Sequence, residues 1–309
     1  MKVVRQAREL QTNGHKVCLA IGVFDGVHLG HQQVIRQSIA DARQHEAIAV
    51  ALTFDRHPES VVAPDRAPQL IYSLPQKLRA IESIGVDATL LIEFTPEFSR
   101  KTGEDFVREL IQGFGAIHSI CVGSAFTFGY KRSGNVDLLR NLGAELKFQV
   151  HGLAALALDG ETVSSTRIRQ CIRAGRLDDA SQMLARSYAI AGKVIEGDRL
   201  GRTLGAPTAN IDIAGLVLPP NGVYAVHAEV KDRSHRAVAN LGVRPTLANA
   251  TPQQRFEVHL FDFSGDIYGQ EMEITFVEKL RDEQRFESLD ALKAQISKDM
   301  AAARALFES

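Results

Sequence analysis

Short apolar runs alternate with amphipathic segments through the N-terminal part of the chain. The runs, at positions 17–23, 47–54, 88–94 and 117–123, have the length of buried strands. Between them, apolar residues recur at helical spacing in a segment that begins near Gly30 and in another that follows Thr102. Strands that alternate with helices predict an open parallel sheet covered on both faces.

After about residue 185 the pattern changes to a period of two, broken by Gly, Pro and Asn. Apolar and polar residues alternate at 223–230, 256–263 and 271–277, which predicts an antiparallel sheet or a small barrel. Ser288 then precedes apolar residues spaced three or four apart. A capped amphipathic helix should therefore follow the strands.

The length supports two domains, because 309 residues exceed what one hydrophobic core usually holds. We predict an α/β domain over residues 1–185 and a second domain over 186–309, built on the antiparallel sheet or small barrel with its terminal helix. Thirty-six basic residues stand against 37 acidic ones, and Trp is absent. This composition argues against nucleic acid or a membrane surface as a partner, and no obligate protein partner is indicated.

The cysteines and the N-terminus bear on the compartment. Cys18, Cys121 and Cys171 are far apart among apolar neighbours, so we expect buried free thiols rather than disulfides or a zinc site. The N-terminus is charged and lacks the apolar region of a signal peptide, and no apolar run is long enough to span a membrane. These features predict a cytoplasmic protein.

The segment from Gly22 to His31 joins the first predicted strand to the first predicted helix. In open parallel sheets ligands collect at the carboxyl ends of the strands, where a helix N-terminus offers N–H groups to phosphate. His28 and His31, three residues apart, can stabilise charge on an α-phosphate and a departing pyrophosphate. A single His at a helix start is usually a cap or a surface residue. Two at this spacing after a glycine turn indicate a phosphate site, although not a Walker loop.

Two further segments are weaker candidates. Ser164, Ser165 and Thr166 stand at a predicted helix start with Arg169 behind them, which alone indicates a good N-cap and a solvated basic face. This hydroxyl–arginine segment supports a phosphate site only in combination with the two histidines. His57 follows the second apolar run, and a phosphate contact or a structural turn explains it equally well.

A second constellation lies in the C-terminal half. Three glycines at spacing four, with arginines between them, suggest a flexible loop over phosphates, although glycine loops are common. Thr208 and Asn210 follow this loop and offer oxygen ligands to a hard cation such as Mg²⁺. The loop residues that we single out are Gly197, Gly201, Arg202 and Gly205.

Glu257 and His259 share one face of a predicted strand, opposite Phe256 and Val258. That face turns either to solvent, which is the usual outcome, or to a cavity. In a cavity, Glu257 could act as a general base that takes a proton from an attacking hydroxyl.

With these segments in view, the chain resembles the bacterial bifunctional riboflavin kinase/FAD synthetase family over nearly its whole length. The first segment contains the H-x-G-H signature of nucleotidylyltransferases. The matching segments, in the family's order and spacing, are AIGVFDGVHLGHQ, TFDRHP, VGSAFTFG, VSSTRIR, GDRLGRTLGAPTANI, LPPNGVYAV, NLGVRPT, FEVHLFDF and KLRDEQRF.

The resemblance implies a Rossmann-like FMN adenylyltransferase domain followed by a riboflavin kinase barrel. Riboflavin and ATP would give FMN, and FMN and ATP would then give FAD and pyrophosphate. His28 and His31 would serve adenylyl transfer, with the hydroxyl–arginine segment on the opposite side of the phosphates. The implied ATP-binding residues of this domain are Gly22, Phe24, Asp25, Gly26, His28, His31, Ser164, Ser165, Thr166 and Arg169.

In the kinase domain the resemblance implies four further roles. Thr208 and Asn210 would bind Mg²⁺ and ATP phosphates beside the glycine loop. Glu257 would be the base to the ribityl hydroxyl and would contact the flavin. Arg281 would belong to a loop that closes over the flavin.

Two departures from the family pattern keep a rival function open. Val23 stands where Asn is usual, and Ala125 where an acidic or amide side chain is common, so each removes a polar group from the adenylyl site. Losing one or two hydrogen bonds costs about 1 to 3 kcal/mol. The rival is a riboflavin kinase with an impaired adenylyltransferase domain. A flavin or nucleotide sensor without turnover, and an adenylyltransferase for another acceptor, are the remaining alternatives.

Overall fold

The computed structural model describes residues 1–197, 206–244 and 253–308. Contacts divide the chain into two compact units, Met1–Ile168 with Met183–Ala185, and Arg169–Gln182 with Arg186–Ser309. The second unit thus includes a short segment that precedes the predicted boundary near Ala185. The division into domains at 1–185 and 186–309 stays a prediction.

The first unit is built on a parallel sheet. Its strands are β1 (Lys2–Val4), β2 (Val17–Ile21), β3 (Ile48–Phe54), β4 (Ala88–Ile92), β5 (Ile117–Gly123) and, later in the chain, β8 (Gln149–Leu153). They lie in the order β1-β4-β3-β2-β5-β8, and all neighbouring pairs are parallel. Two antiparallel hairpins pair β6 (Thr127–Phe128) with β7 (Gly134–Asn135) and β9 (Ala157–Leu158) with β10 (Glu161–Thr162).

Helices connect the strands. They are α1 (Leu29–Gln44), α2 (Glu59–Val62), α3 (Leu74–Glu82), α4 (Gly103–Phe114), α5 (Val136–Leu146), α6 (Ser165–Arg173) and α7 (Leu177–Leu184). The predicted start of α4 is confirmed, since the Thr102 hydroxyl accepts a hydrogen bond from the backbone N–H of Asp105 at 3.2 Å.

Side chains of one strand enter two separate cores. In β2, Val17 and Leu19 pack into one apolar cluster, whereas Cys18 and Ala20 pack into the other. Alternate side chains point to opposite faces of a strand, so the sheet is covered on both faces, as predicted. The sequence pattern missed β1, which is only three residues long, and β8, a half-buried edge strand that contains polar residues.

The second unit contains a closed antiparallel barrel. Its strands are β11 (Ala189–Ile195), β12 (Ala209–Ile211), β13 (Gly222–Val230), β14 (Arg233–Arg244), β15 (Gln253–Leu260) and β16 (Glu271–Arg281). They close in the order β11-β12-β15-β14-β13-β16. The predicted strand over 256–263 ends earlier, at Leu260, because Asp262 has a φ of 55° that a strand cannot continue.

Helix α8 (Leu289–Leu306) packs on the barrel. The Ser288 hydroxyl accepts a hydrogen bond from the N–H of Ala291, so the predicted cap is confirmed. Ala303 and Met300 contact the apolar cluster that includes Val223. The predicted fold, a Rossmann-like α/β sheet and a small barrel with a terminal helix, is therefore confirmed.

Two expectations from the sequence can be compared with the described residues. Cys18, Cys121 and Cys171 are buried free thiols, as expected. Across residues 1–197, 206–244 and 253–308, each helix is too short or too polar to cross a membrane.

The segment 169–182 yields a first prediction. The backbone N–H of Tyr188 donates to the Ser181 hydroxyl at 2.9 Å, and that of Arg186 donates to the Ser181 carbonyl at 3.2 Å. A hydrogen bond contributes about 0.5 to 1.5 kcal/mol. A fragment that starts at residue 186 should therefore fold but unfold at lower urea concentration than one that starts at residue 169. Equal unfolding midpoints would contradict the assignment of 169–182 to the barrel unit.

Candidate active sites

The turn between β2 and α1 has an unusual backbone. Phe24 has a φ of 52°, and Gly26 has a φ of 77°. Gly26 is needed there, since a Cβ would also lie 3.0 Å from the Ile71 side chain. The buried Asp25 carboxylate accepts hydrogen bonds from the N–H groups of Ile71, at 3.0 Å, and Tyr72, at 3.3 Å. Asp25 thus holds the turn, and its predicted contact with ATP stays a prediction.

The two histidines meet where this turn enters α1. His28 is the N-cap, and its Nδ1 accepts a hydrogen bond from the N–H of His31 at 3.4 Å. The rings stack with their centroids 3.6 Å apart. The Phe24 ring meets the His31 ring edge-on at 5.3 Å. The structure therefore brings both imidazoles together at a helix N-terminus, the placement that suits an anion.

The hydroxyl–arginine segment starts α6. The Ser165 hydroxyl donates to the Asp25 carbonyl at 3.0 Å, which joins this segment to the turn. Ser164 caps the helix through its side chain. Thr166 is exposed. Arg169 is buried, and its contacts assign it to the second unit.

A cavity of about 550 Å³ opens beside the turn, and the sequence analysis did not find it. Val23, from the turn, and Phe54, from the end of β3, both line it. Phenylalanines from several segments meet at steep angles, such as Phe54 and Phe94 at 5.2 Å and 90°. The aromatic residues of the lining are Phe54, Phe94, Phe98, Phe106, Phe126, Phe128 and Tyr130, and the basic ones are His57, Lys101, Lys131 and Arg132.

Two further residues bear on the aromatic cavity. His57 supports its turn, because its Nδ1 accepts a hydrogen bond from the N–H of Glu59 at 3.2 Å. Its side chain also lines the cavity, and its contact with phosphate stays a prediction. Ala125 is exposed and lines a separate depression. The loss of a polar group at Ala125 therefore bears less on the aromatic cavity than the loss at Val23.

In the second unit, four predicted residues line one cavity of about 380 Å³. They are Thr208, Asn210, Glu257 and Arg281. Strand register aligns the middle of the site, because Glu257 of β15 pairs with Asn210 of β12 on one side and with Asn240 of β14 on the other. Asn240 lines the same barrel cavity and was not singled out from the sequence.

Glu257 and His259 face this barrel cavity, which decides between the two alternatives for that strand face. The Glu257 carboxylate pairs with Arg255, whose Nη1 lies 3.8 Å from Oε1. The Nδ1 of His259 lies 2.8 Å from the Pro207 carbonyl. Since a carbonyl only accepts, Nδ1 carries the proton, and the ring braces the residue before Thr208.

Arg281 corrects one expectation. It ends strand β16, opposite Val223, and does not lie in a loop, because pairing extends the strand beyond residue 277. Its guanidinium binds the buried Asp299 carboxylate of α8 with two contacts, Nε to Oδ1 at 2.9 Å and Nη2 to Oδ2 at 2.8 Å. Gln295 also donates to Asp299, at 2.8 Å. Asp299 was not predicted from the sequence.

A second cavity of the barrel, of about 490 Å³, shares Thr208 with the first. Phe263, Ile267 and Tyr268 form part of its lining. Gly197 lies against the site, since a Cβ there would fall 2.1 Å from Nδ2 of Asn210. The other predicted residues of the glycine loop, Gly201, Arg202 and Gly205, lie outside the described residues.

The oxygen atoms that line the barrel cavity are suitable ligands for a hard cation. Thr208, Asn210 and Glu257 offer hydroxyl, amide and carboxylate oxygens, the donors that Mg²⁺ prefers when nucleotide phosphates and water complete its shell. In the part of the chain that the structure describes, no group of three or more His, Cys, Asp or Glu side chains could hold a metal by itself.

Comparisons with known proteins cover both units. Residues 10–167 match the family described as FAD synthetase, and residues 184–307 match the riboflavin kinase family. The bifunctional riboflavin kinase/FMN adenylyltransferases of Escherichia coli (strain K12) and Pseudomonas fluorescens are 37% and 39% identical to the chain. Each alignment covers 99% of this chain and 98% of the relative.

A solved structure extends the likeness to the fold. A crystal structure described as a macrolide-efflux protein from Streptococcus pneumoniae is 29% identical, with a TM-score of 0.80 and 98% of both chains covered. The two family matches cover both units, and the relatives match over nearly the whole chain. The chain belongs to the family of bacterial bifunctional riboflavin kinase/FMN adenylyltransferases.

Proposed function

We propose that the chain carries out both reactions of its family and that the two cavities described above hold the flavin in turn. It phosphorylates riboflavin with ATP to give FMN and ADP, and it transfers AMP from a second ATP to FMN to give FAD and pyrophosphate. One observation carries the proposal. In each unit, residues that we predict to bind phosphate lie in or beside a cavity of a size typical for a small-molecule ligand.

In the kinase, riboflavin occupies the barrel cavity and ATP occupies the cavity that shares Thr208 with it. The γ-phosphate then lies at the junction, near Thr208 and Asn210. Glu257 accepts the proton of the attacking ribityl hydroxyl, and the new bond forms between that oxygen and the γ-phosphorus. Arg281, held by Asp299, lines the flavin side.

Thr208 and Asn210 would hold Mg²⁺ as its complex with ATP. Bound there, the cation would neutralise charge on the nucleotide phosphates. The residues of the chain position the hydroxyl and the nucleotide, which accounts for most of the catalysis in phosphoryl transfer.

In the adenylyltransferase, the ring of FMN stacks in the aromatic cavity and its phosphate meets the basic residues of the rim. An oxygen of that phosphate attacks the α-phosphorus of ATP, and the bond to pyrophosphate breaks. His28, His31 and the N–H groups at the start of α1 stabilise the charge on the transferring and leaving groups. Ser164, Ser165 and Thr166 bind the nucleotide phosphates.

The kinase-only alternative is not favoured. Both family models match, and full-length relatives are named as bifunctional. Val23 stands where a polar residue is usual, and it lines the aromatic cavity, so the lost polar group is replaced there by an apolar contact.

Chromatography of the products tests the proposal. The purified chain is mixed with riboflavin, ATP and Mg²⁺, and flavins are separated over time. FMN followed by FAD is expected. FMN alone would indicate the kinase-only function, and unchanged riboflavin would indicate a sensor.

The histidine pair yields a second prediction. Changing His28 and His31 to Ala together should lower FAD formation from supplied FMN by at least about 100-fold, the effect of losing charge-stabilising donors. Riboflavin phosphorylation should stay at the wild-type rate. The matched control is His45→Ala, an exposed histidine at the other end of α1. Parallel loss of both activities in a folded variant would contradict two separate sites.

Glu257 yields a third prediction. Glu257→Gln keeps the shape but cannot accept the proton, so the kinase rate should fall about 10²- to 10⁴-fold. Riboflavin binding and adenylyl transfer to supplied FMN should persist. Glu229→Gln, at an exposed position of β13, is the matched control. Wild-type kinase activity of Glu257→Gln in steady-state kinetics would show that Glu257 is not the base.

A further inference from the structure

Lys77 is a buried lysine beside the adenylyl site that the reaction described above does not use. It lies on α3, and only 7% of it is exposed. Its ammonium donates to the Phe54 carbonyl at 2.7 Å, the Thr53 hydroxyl at 3.3 Å and the Val23 carbonyl at 3.4 Å. The Thr53 hydroxyl itself donates to the Val23 carbonyl at 2.9 Å. One cation thus joins the end of β3 to the turn after β2.

Both joined segments belong to the proposed site. Val23 and Phe54 line the aromatic cavity, and the next residue of the turn, Phe24, contacts the His31 ring. The ammonium therefore lies behind the junction between the histidine pair and the aromatic cavity. A shift there would move the two ends of the site relative to each other.

Burying an ammonium is costly, so its retention needs a compensating gain. Burial lowers the pKa of Lys77 to about 8, while the charges of Asp25, in the turn, and Asp55, after β3, act in the opposite direction. Asp55 is itself paired with Arg56, so its attraction for Lys77 is shared. The charged form, which has three hydrogen atoms for three acceptors, is the one that predominates below pH 8.

We infer that Lys77 is a positioning residue for adenylyl transfer. Its ammonium fixes the turn at 22–27 against the end of β3, and this sets the distance between the α-phosphate at the histidine pair and the acceptor phosphate of FMN. The inference rests on the adenylyl transfer proposed above. Misplacement by about 1 Å can cost 10²-fold in rate, so a contact behind the site can control catalysis.

The test is the pH profile of kcat/KM for FAD formation from FMN and ATP, which reports groups of the free enzyme. In the wild-type protein, kcat/KM should fall as pH rises through about 8, where the ammonium loses its proton. Lys77→Arg keeps a charge at all accessible pH values and should shift this fall upward or remove it. Lys77→Met should lower the rate about 10- to 100-fold at pH 7 and abolish the fall.

Riboflavin phosphorylation by the same samples shows whether each variant is folded, and it should not change. Lys16→Met, at the exposed residue before β2, is the matched control. An unchanged pH profile in Lys77→Arg, or a wild-type rate and profile in Lys77→Met, would overturn the inference. So would equal losses of both activities, which would indicate a purely structural role. No FAD from the wild-type protein would instead contradict the proposed function.

Discussion

The turn between β2 and α1 has a backbone conformation that its own residues disfavour, and the proposed adenylyl site depends on the contacts that hold this turn. Phe24 and Val27 both have positive φ, at a cost of about 1 to 2 kcal/mol each. Three hydrogen bonds from separate parts of the chain offset this cost. The N–H of Ile71 donates to the Asp25 carboxylate, and the Ser165 hydroxyl donates to the Asp25 carbonyl. The Lys77 ammonium donates to the Val23 carbonyl. Tertiary structure therefore sets the turn before any substrate binds, as electrostatic catalysis requires.

In the barrel, the strand register fixes the positions of the site residues in the same way. Asn210, Glu257 and Asn240 stand side by side on three strands, and their neighbours Phe256 and Val258 are buried on the other face. A slip of one residue would send the polar groups into the core and the apolar groups into the cavity. The apolar residues that fold β15 thus also hold Glu257 in place.

The sequence was sufficient for the fold because periodicity reports burial. Both cores, the antiparallel strands of the second unit and the cap at Ser288 follow from spacing, whereas the closure of those strands into a barrel was implied by the family resemblance. The same reasoning failed for Asp299 and Lys77, which share the apolar faces of α8 and α3 at helical spacing from Ile296 and Ile81. A charge on such a stripe is a signal for a buried polar contact, but its partners, Arg281 for one, come from distant segments and cannot be found from local pattern.

The aromatic cavity was missed for a related reason. Its phenylalanines come from strand ends, loops and helix α4, and no single spacing links them. Phe54 closes an apolar run, so periodicity counts it as a strand residue, although it also forms part of the lining. Only the sheet topology, which aligns the carboxyl ends of neighbouring parallel strands, makes such residues neighbours.

The charges of the two flavin cavities fit the order of the proposed reactions. FMN differs from riboflavin by a phosphate that carries about −1.5 to −2 charges near pH 7. In the proposed adenylyl site, Lys101, Lys131 and Arg132 line the aromatic cavity and would attract that phosphate. In the proposed kinase site, Glu257 would lie where the phosphate forms, and like charges repel. On this assignment the kinase binds the neutral flavin and disfavours its own product, whereas the adenylyltransferase selects the phosphorylated one.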